Sequence, residues 1–260
     1  MTEFPLFYFL MLFATGIAGA LLVHLRIAQS STGIKLLLVY SAAYLLGLSL
    51  LHLFPELFAS GIPGAGWFVL GGFILQVVLD FFSHGVEHGH HHANEHTGPG
   101  IIYLVMLSLW IHAFIEGMPF GSNQPDGLHV HGDHAHGHAH HGHDHRDSLL
   151  IGICAHKLTE GFVFASLLLS AGLTRARAWM WIVLFALMAP LGAAVQFFLL
   201  NSGAVDIHAF TPMVTGVLIG ILLHVSTTII FEGSEGHTFN LKKFLAILLG
   251  IASSALAAGI

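Results

Sequence analysis

Leu107-Ser108-Leu109-Trp110-Ile111-His112-Ala113-Phe114-Ile115-Glu116-Gly117 sets an imidazole and a carboxylate inside a run that is otherwise apolar from about residue 100 to 119. A run of that length is what a helix needs to cross a bilayer. Ile153-Cys154-Ala155-His156-Lys157-Leu158-Thr159-Glu160-Gly161 repeats the pattern H-x-x-x-E-G in a second apolar run. Positions i and i+4 of a helix lie one turn apart on a single face. Each run therefore presents one imidazole and one carboxylate along a stripe. An ionisable residue at mid-span costs about 2.5–3.5 kcal/mol by insertion scales and marks a functional site. These two stretches predict an all-α, polytopic membrane protein with polar seams.

The composition agrees. The chain has 260 residues, 55% of them hydrophobic and only 8% charged. A soluble domain carries about 25% charged residues, so a water-exposed globular fold is excluded. Disorder is excluded too, because disordered chains are poor in apolar residues. Apolar runs at about 4–25, 35–58, 66–83, 100–119, 148–170, 178–200, 210–231 and 243–260 predict eight transmembrane helices in a single membrane domain, 1–260. No basic stretch precedes the first run, so it is expected to stay as a span rather than be cleaved as a signal peptide. The single cysteine, Cys154, rules out an internal disulfide and any CxxC motif. A net charge of −6 with only 8 Lys and Arg speaks against nucleic acid as a partner.

Bases follow the odd-numbered linkers: Arg26 and Lys35, Arg175 and Arg177, Lys242 and Lys243. The even-numbered linkers hold Arg146 alone, and Lys157 lies within the fifth span. By the positive-inside rule the odd linkers are cytoplasmic and both termini lie outside. The expected location is a plasma or cytoplasmic (inner) membrane. Of the 22 histidines, most fall in two linkers on opposite sides. The cytoplasmic one, 84–98, has His84, His88, His90, His91, His92 and His96. The outer one, 120–147, has His129, His131, His134, His136, His138, His140, His141, His143 and His145. Neither tract has an apolar period with which to build a core. Imidazoles with a reference pKa near 6.5 are mostly neutral at pH 7 and able to ligate. Loose metal capture is the expected role; a low-complexity tract without a role is the alternative.

Brought together, the two H-x-x-x-E stripes form a cage of His112, Glu116, His156 and Glu160. Mixed nitrogen and oxygen donors suit Zn²⁺, and also Fe²⁺, Mn²⁺ or Cd²⁺. The alternative for any one of these residues is a packing hydrogen bond between helices. His52-Leu53-Phe54-Pro55-Glu56 is a third H-x-x-x-E, closing the second span. His52 and Glu56 are either accessory ligands or anchors of a kinked helix end. His224, alone in its span, reads as an interhelical hydrogen bond, and His24 and Asp80 near helix ends as snorkelling groups.

With these motifs the chain resembles the ZIP (Zrt/Irt-like) family of divalent-metal transporters. The resemblance implies import of zinc or a related ion toward the cytoplasm, with His112, Glu116, His156 and Glu160 as pathway ligands. The metal is then substrate and not cofactor, and no residue is catalytic. It further implies spans that move against one another to give alternating access, and a homodimer. Departures from the family pattern are Ala113 where Asn is frequent, Lys157 where some members carry an acid, Thr159 where Pro is common, and Ala189-Pro190-Leu191-Gly192 where Glu-Pro-Leu-Gly occurs. Ala113, Lys157 and Ala189 remove ligands from a second metal position. Lys157 precedes Glu160 by three residues, so its ammonium can compensate the carboxylates in place of a second cation. Purely structural pairing is the alternative for Lys157.

The rival from another class is a His-box membrane metalloenzyme, a desaturase or hydroxylase. His84-x-x-x-His88 and His138-x-His140-His141 have superficially similar spacing, but they sit within Gly/Ala/His repeats. HExxH, the mark of a zinc protease, is missing. An efflux carrier of the cation-diffusion-facilitator kind is expected to have six spans and a soluble C-terminal domain, neither of which the pattern predicts.

Overall fold

The apolar runs fold as helices in a computed structural model that describes residues 5–25, 31–83, 99–122, 145–232, 240–257 and 259. In chain order these are α1 (Leu6–His24), α2 (Ser31–Leu48), a π-helical turn (Ser49–Leu53), α3 (Phe54–Ala59), α4 (Ala65–Ser83) and α5 (Pro99–Gly117). A 3-10 turn (Met118–Gly121), α6 (His145–Ser170), α7 (Arg175–Asn201), α8 (Ile207–Glu232) and α9 (Leu241–Ala257) complete the order. No strand occurs among the described residues. Seven helical segments are long and apolar enough to cross a membrane, counting α2, the π turn and α3 as one continuous segment over Thr32–Ala59. The last helix, α9, has 17 residues and runs along α2.

The outward faces suit lipid. Trp67, Phe81, Tyr103, Phe198, Phe231 and Leu256 are all largely exposed, which in water would be an uncovered apolar surface. The polar groups are turned inward: Gln76, His112, Glu116, His156, Lys157, Glu160 and Gln196 are buried. The molecule is a multi-pass integral membrane protein.

The helices sort into two groups. In the first, α1 packs on α6 and α7, and α5 packs on α7. In the second, α4 packs on α8 and α2 packs on α9 and α8. The groups meet where α2 crosses α6 and where α4 crosses α5. At the α2–α6 crossing the Tyr44 hydroxyl donates to the Ser148 carbonyl at 3.0 Å.

Proline explains the π turn. Pro55 lacks an N–H, and its ring would press on the carbonyl four residues earlier in a regular helix. The backbone widens just before it, with the Phe54 N–H bonded to the Ser49 carbonyl, and so accommodates the ring without ending the span. Further along, α6 begins at His145, ahead of the expected span edge at 148. Of the linker histidines expected to capture metal, His84, His88, His90, His91, His92, His96, His129, His131, His134, His136, His138, His140, His141 and His143 lie outside the described residues.

Candidate metal centre

α5 carries His112 and Glu116 on one stripe, and α6 carries His156 and Glu160 on another. Helix packing inside the first group turns the stripes toward each other. The glycine that ends each motif contributes directly. Any side chain on Gly117 would collide with the Ala189 carbonyl of α7, and any on Gly161 with the Gly16 carbonyl of α1. Both motif helices thus lie backbone against backbone with a neighbour, the close approach that small residues allow in membranes. The residue before each glycine is a motif glutamate, and both glutamates are buried.

His112, Glu116 and His156 each offer a ligand atom, and the three atoms lie within 4.8 Å of one another. His112 Nε2 is 3.2 Å from Glu116 Oε1. His156 Nε2 is 4.0 Å from the same oxygen. In a tetrahedral zinc site with bonds of about 2.0–2.1 Å, neighbouring donors stand roughly 3.3 Å apart. The imidazole planes meet edge to face, with centroids 6.1 Å apart, so the rings are not stacked on each other. Both ring nitrogens of His156 are buried without a hydrogen-bond partner among the described residues. A buried imidazole in that condition is unusual, and a bound metal would satisfy it.

Lys157 occupies the other side of the cluster. Its Nζ is 2.6 Å from Glu116 Oε2 and 2.5 Å from Glu160 Oε2. One ammonium therefore neutralises part of two carboxylates while Glu116 Oε1 stays turned to the histidines. Glu160 is tied to the cluster through Lys157 and does not belong to the three-donor group. Its Oε1 is buried without a hydrogen-bond partner among the described residues. Thr159, in place of proline, leaves α6 unbroken, and its hydroxyl donates to the His156 carbonyl at 2.7 Å.

The remaining candidates lie apart. His52 Nε2 and Glu56 Oε2 are 3.8 Å apart in a partly exposed pair, one on the π turn and one on α3. His224 meets the Phe73 ring edge-on across α4 and α8. His24 lies 4.5 Å, centroid to centroid, from Trp179. Gln76 of α4 was overlooked by the sequence reasoning. It is fully buried, and its Oε1 is 3.0 Å from His112 Nδ1. The available signal was an amide midway along an apolar run, where lipid-facing residues carry none.

A buried imidazole–carboxylate cluster inside a multi-pass bundle is the pattern of a divalent-metal carrier. The model of the ZIP zinc transporter family matches residues 87–258, well over half of the chain, and the chain belongs to that family. No curated protein matches it. It is a transporter of divalent metal rather than an enzyme, and the metal is its substrate rather than a cofactor. The His-box enzyme is thereby set aside. The matched region contains His112, Glu116, His156, Lys157 and Glu160, whereas Gln76, His52 and Glu56 precede it.

Proposed function

We propose that the protein imports Zn²⁺, or Fe²⁺, Mn²⁺ or Cd²⁺ in its place, toward the cytoplasm through a single site between α5 and α6. The observation that carries this is the convergence of His112, Glu116 and His156 within 4.8 Å, all buried at span depth. Glu160 supplies a further oxygen as the ion arrives. Lys157 stands where a second cation would otherwise balance the carboxylates. With both carboxylates ionised, the imidazoles neutral and Lys157 protonated, the empty site carries −1, enough to attract one divalent ion but not two.

In this account α9 is the eighth span, both termini lie outside, and the membrane is the plasma or cytoplasmic (inner) membrane. Histidines of the outer linker gather metal. The ion sheds water among the buried donors, the first helix group shifts against the second, and the inner linker receives the ion or senses its level. His52 and Glu56 serve as accessory groups, and two copies pair as a homodimer. Nitrogen and oxygen donors exchange faster than thiolates, which suits a site that must release what it binds. Ligands must be deprotonated, so uptake falls as the outside pH drops below roughly 6.

Metal flux in proteoliposomes tests the account. Wild type should carry zinc inward, and His156→Ala and Glu160→Ala should reduce flux to background. Protein lacking residues 129–143 should hold one intramembrane zinc. Outward-only flux or two tightly bound ions would overturn it.

A further inference from the structure

A neutral residue joins the two helix groups at the candidate centre. Gln76 belongs to α4 in the second group, and His112 belongs to α5 in the first. Both are fully buried, and Gln76 Oε1 lies 3.0 Å from His112 Nδ1. A carbonyl oxygen can only accept, so this bond puts a proton on Nδ1, and in the neutral imidazole that ligates a metal the lone pair is then on Nε2. That is the nitrogen that faces Glu116 Oε1 at 3.2 Å. In the neutral ring these two atoms both carry lone pairs and are drawn together only by a proton or a metal ion between them. A ligating histidine is typically oriented by just such a bond from its second nitrogen.

We infer that Gln76 is a positioning residue for metal transport, resting on the site proposed above. It fixes the tautomer and ring direction of His112, and does so only while α4 backs α5. When the groups are docked as in this structure, His112 is held ready to bind. When α5 moves away from α4, the bond is lost, the ring can turn, and affinity drops. Binding strength is thereby tied to the arrangement of the helices, which is what release on the far side requires. The bond also has no competing charge: an amide orients the imidazole without adding a third carboxylate to the cluster.

The experiment compares Gln76→Leu, Gln76→Glu and His112→Ala in proteoliposomes. The readouts are zinc uptake, resolved into KM and Vmax, and the visible ligand-field band of Co²⁺ bound within the spans. Gln76→Leu removes the acceptor, so KM for zinc should rise about 10- to 100-fold with Vmax retained, and the Co²⁺ band should shift. Gln76→Glu keeps an acceptor, and a stronger one. Its KM should stay within a few-fold of wild type, with a lower Vmax because the charge-assisted bond holds the groups together. Wild-type KM and an unshifted band in Gln76→Leu overturn the inference. Should Gln76→Leu fail to fold, Gln76→Glu decides it alone, and wild-type values of both KM and Vmax there overturn it. His112→Ala separates the two levels. Transport that survives it removes the proposed site itself, whereas loss in His112→Ala beside normal Gln76 variants removes only the role of Gln76.

Discussion

Among the described residues, every buried His, Lys, Arg, Asp or Glu lies on α5 or α6. The second group buries polar residues as well, but Ser41, Ser49, Gln76, Ser226 and Ser254 are all neutral. The same division shows in how the helices touch. Within a group, backbone meets backbone: Gly117 lies on the Ala189 carbonyl in the first group, and Gly72 on the Val217 carbonyl in the second. Between groups, side chains do the work, as with Gln76 to His112 and Tyr44 to Ser148. Backbone-close packing makes each group a stiff unit, while a side-chain interface can be remade. One unit thus holds the charge and the other provides an uncharged wall.

The largest effect should come from striking the charged unit. Glu116→Ala removes a donor and leaves Lys157 buried with one carboxylate, and breaking a buried pair in this way costs about 3–5 kcal/mol. Zinc flux should fall to background and the melting temperature should drop. Ser226→Ala in the neutral unit should leave intramembrane zinc affinity near wild type. Equal loss in both variants would erase the distinction.

A subtler comparison uses the two glycines. Gly117→Ala and Gly72→Ala both force helices apart, and overpacking of this kind costs about 1–3 kcal/mol. Thermal stability should therefore fall in both. Zinc KM should rise more for Gly117→Ala, which moves Glu116 itself, than for Gly72→Ala, which reaches the site only through Gln76. An equal or larger rise in Gly72→Ala would show that the wall shapes the site more than its neutral lining implies.

Deleting residues 129–143 should have the smallest effect. Uptake should drop at scarce zinc and match wild type at abundant zinc, since capture raises supply without altering the buried donors. Loss at every concentration would assign those histidines to the pathway itself.

Much of this was legible because a charged residue within an apolar run has so few explanations. The all-helical, multi-pass character and the H-x-x-x-E-G stripes followed from that, and the three residues spacing Lys157 from Glu160 allowed their contact. What spacing cannot reveal is which stripe faces which neighbour. Glu160 is engaged by Lys157 instead of joining the three-donor group, a result of side-chain reach rather than of register. Gln76 carries no charge to betray it, and nothing in its run says that it faces α5. The grouping of α1 with α6 was equally hidden, since it depends on glycines whose partners are backbone atoms far away in the chain. The π turn before Pro55 fits the same limit: a proline announces a disturbance without stating its form.

The ammonium of Lys157 has an electrical consequence. The site as proposed, bearing −1 when empty, bears +1 with a divalent ion. In the proposed import cycle, if the lysine travels with its carboxylates, the loaded step carries one positive charge inward and the empty return carries one negative charge outward. A membrane potential acts on each with about 2.3 kcal/mol per charge per 100 mV, for charge crossing the full field. Without the lysine, the loaded site would be neutral and the voltage would act on the return alone. A resident cation therefore divides the pull of the potential between both halves of the cycle.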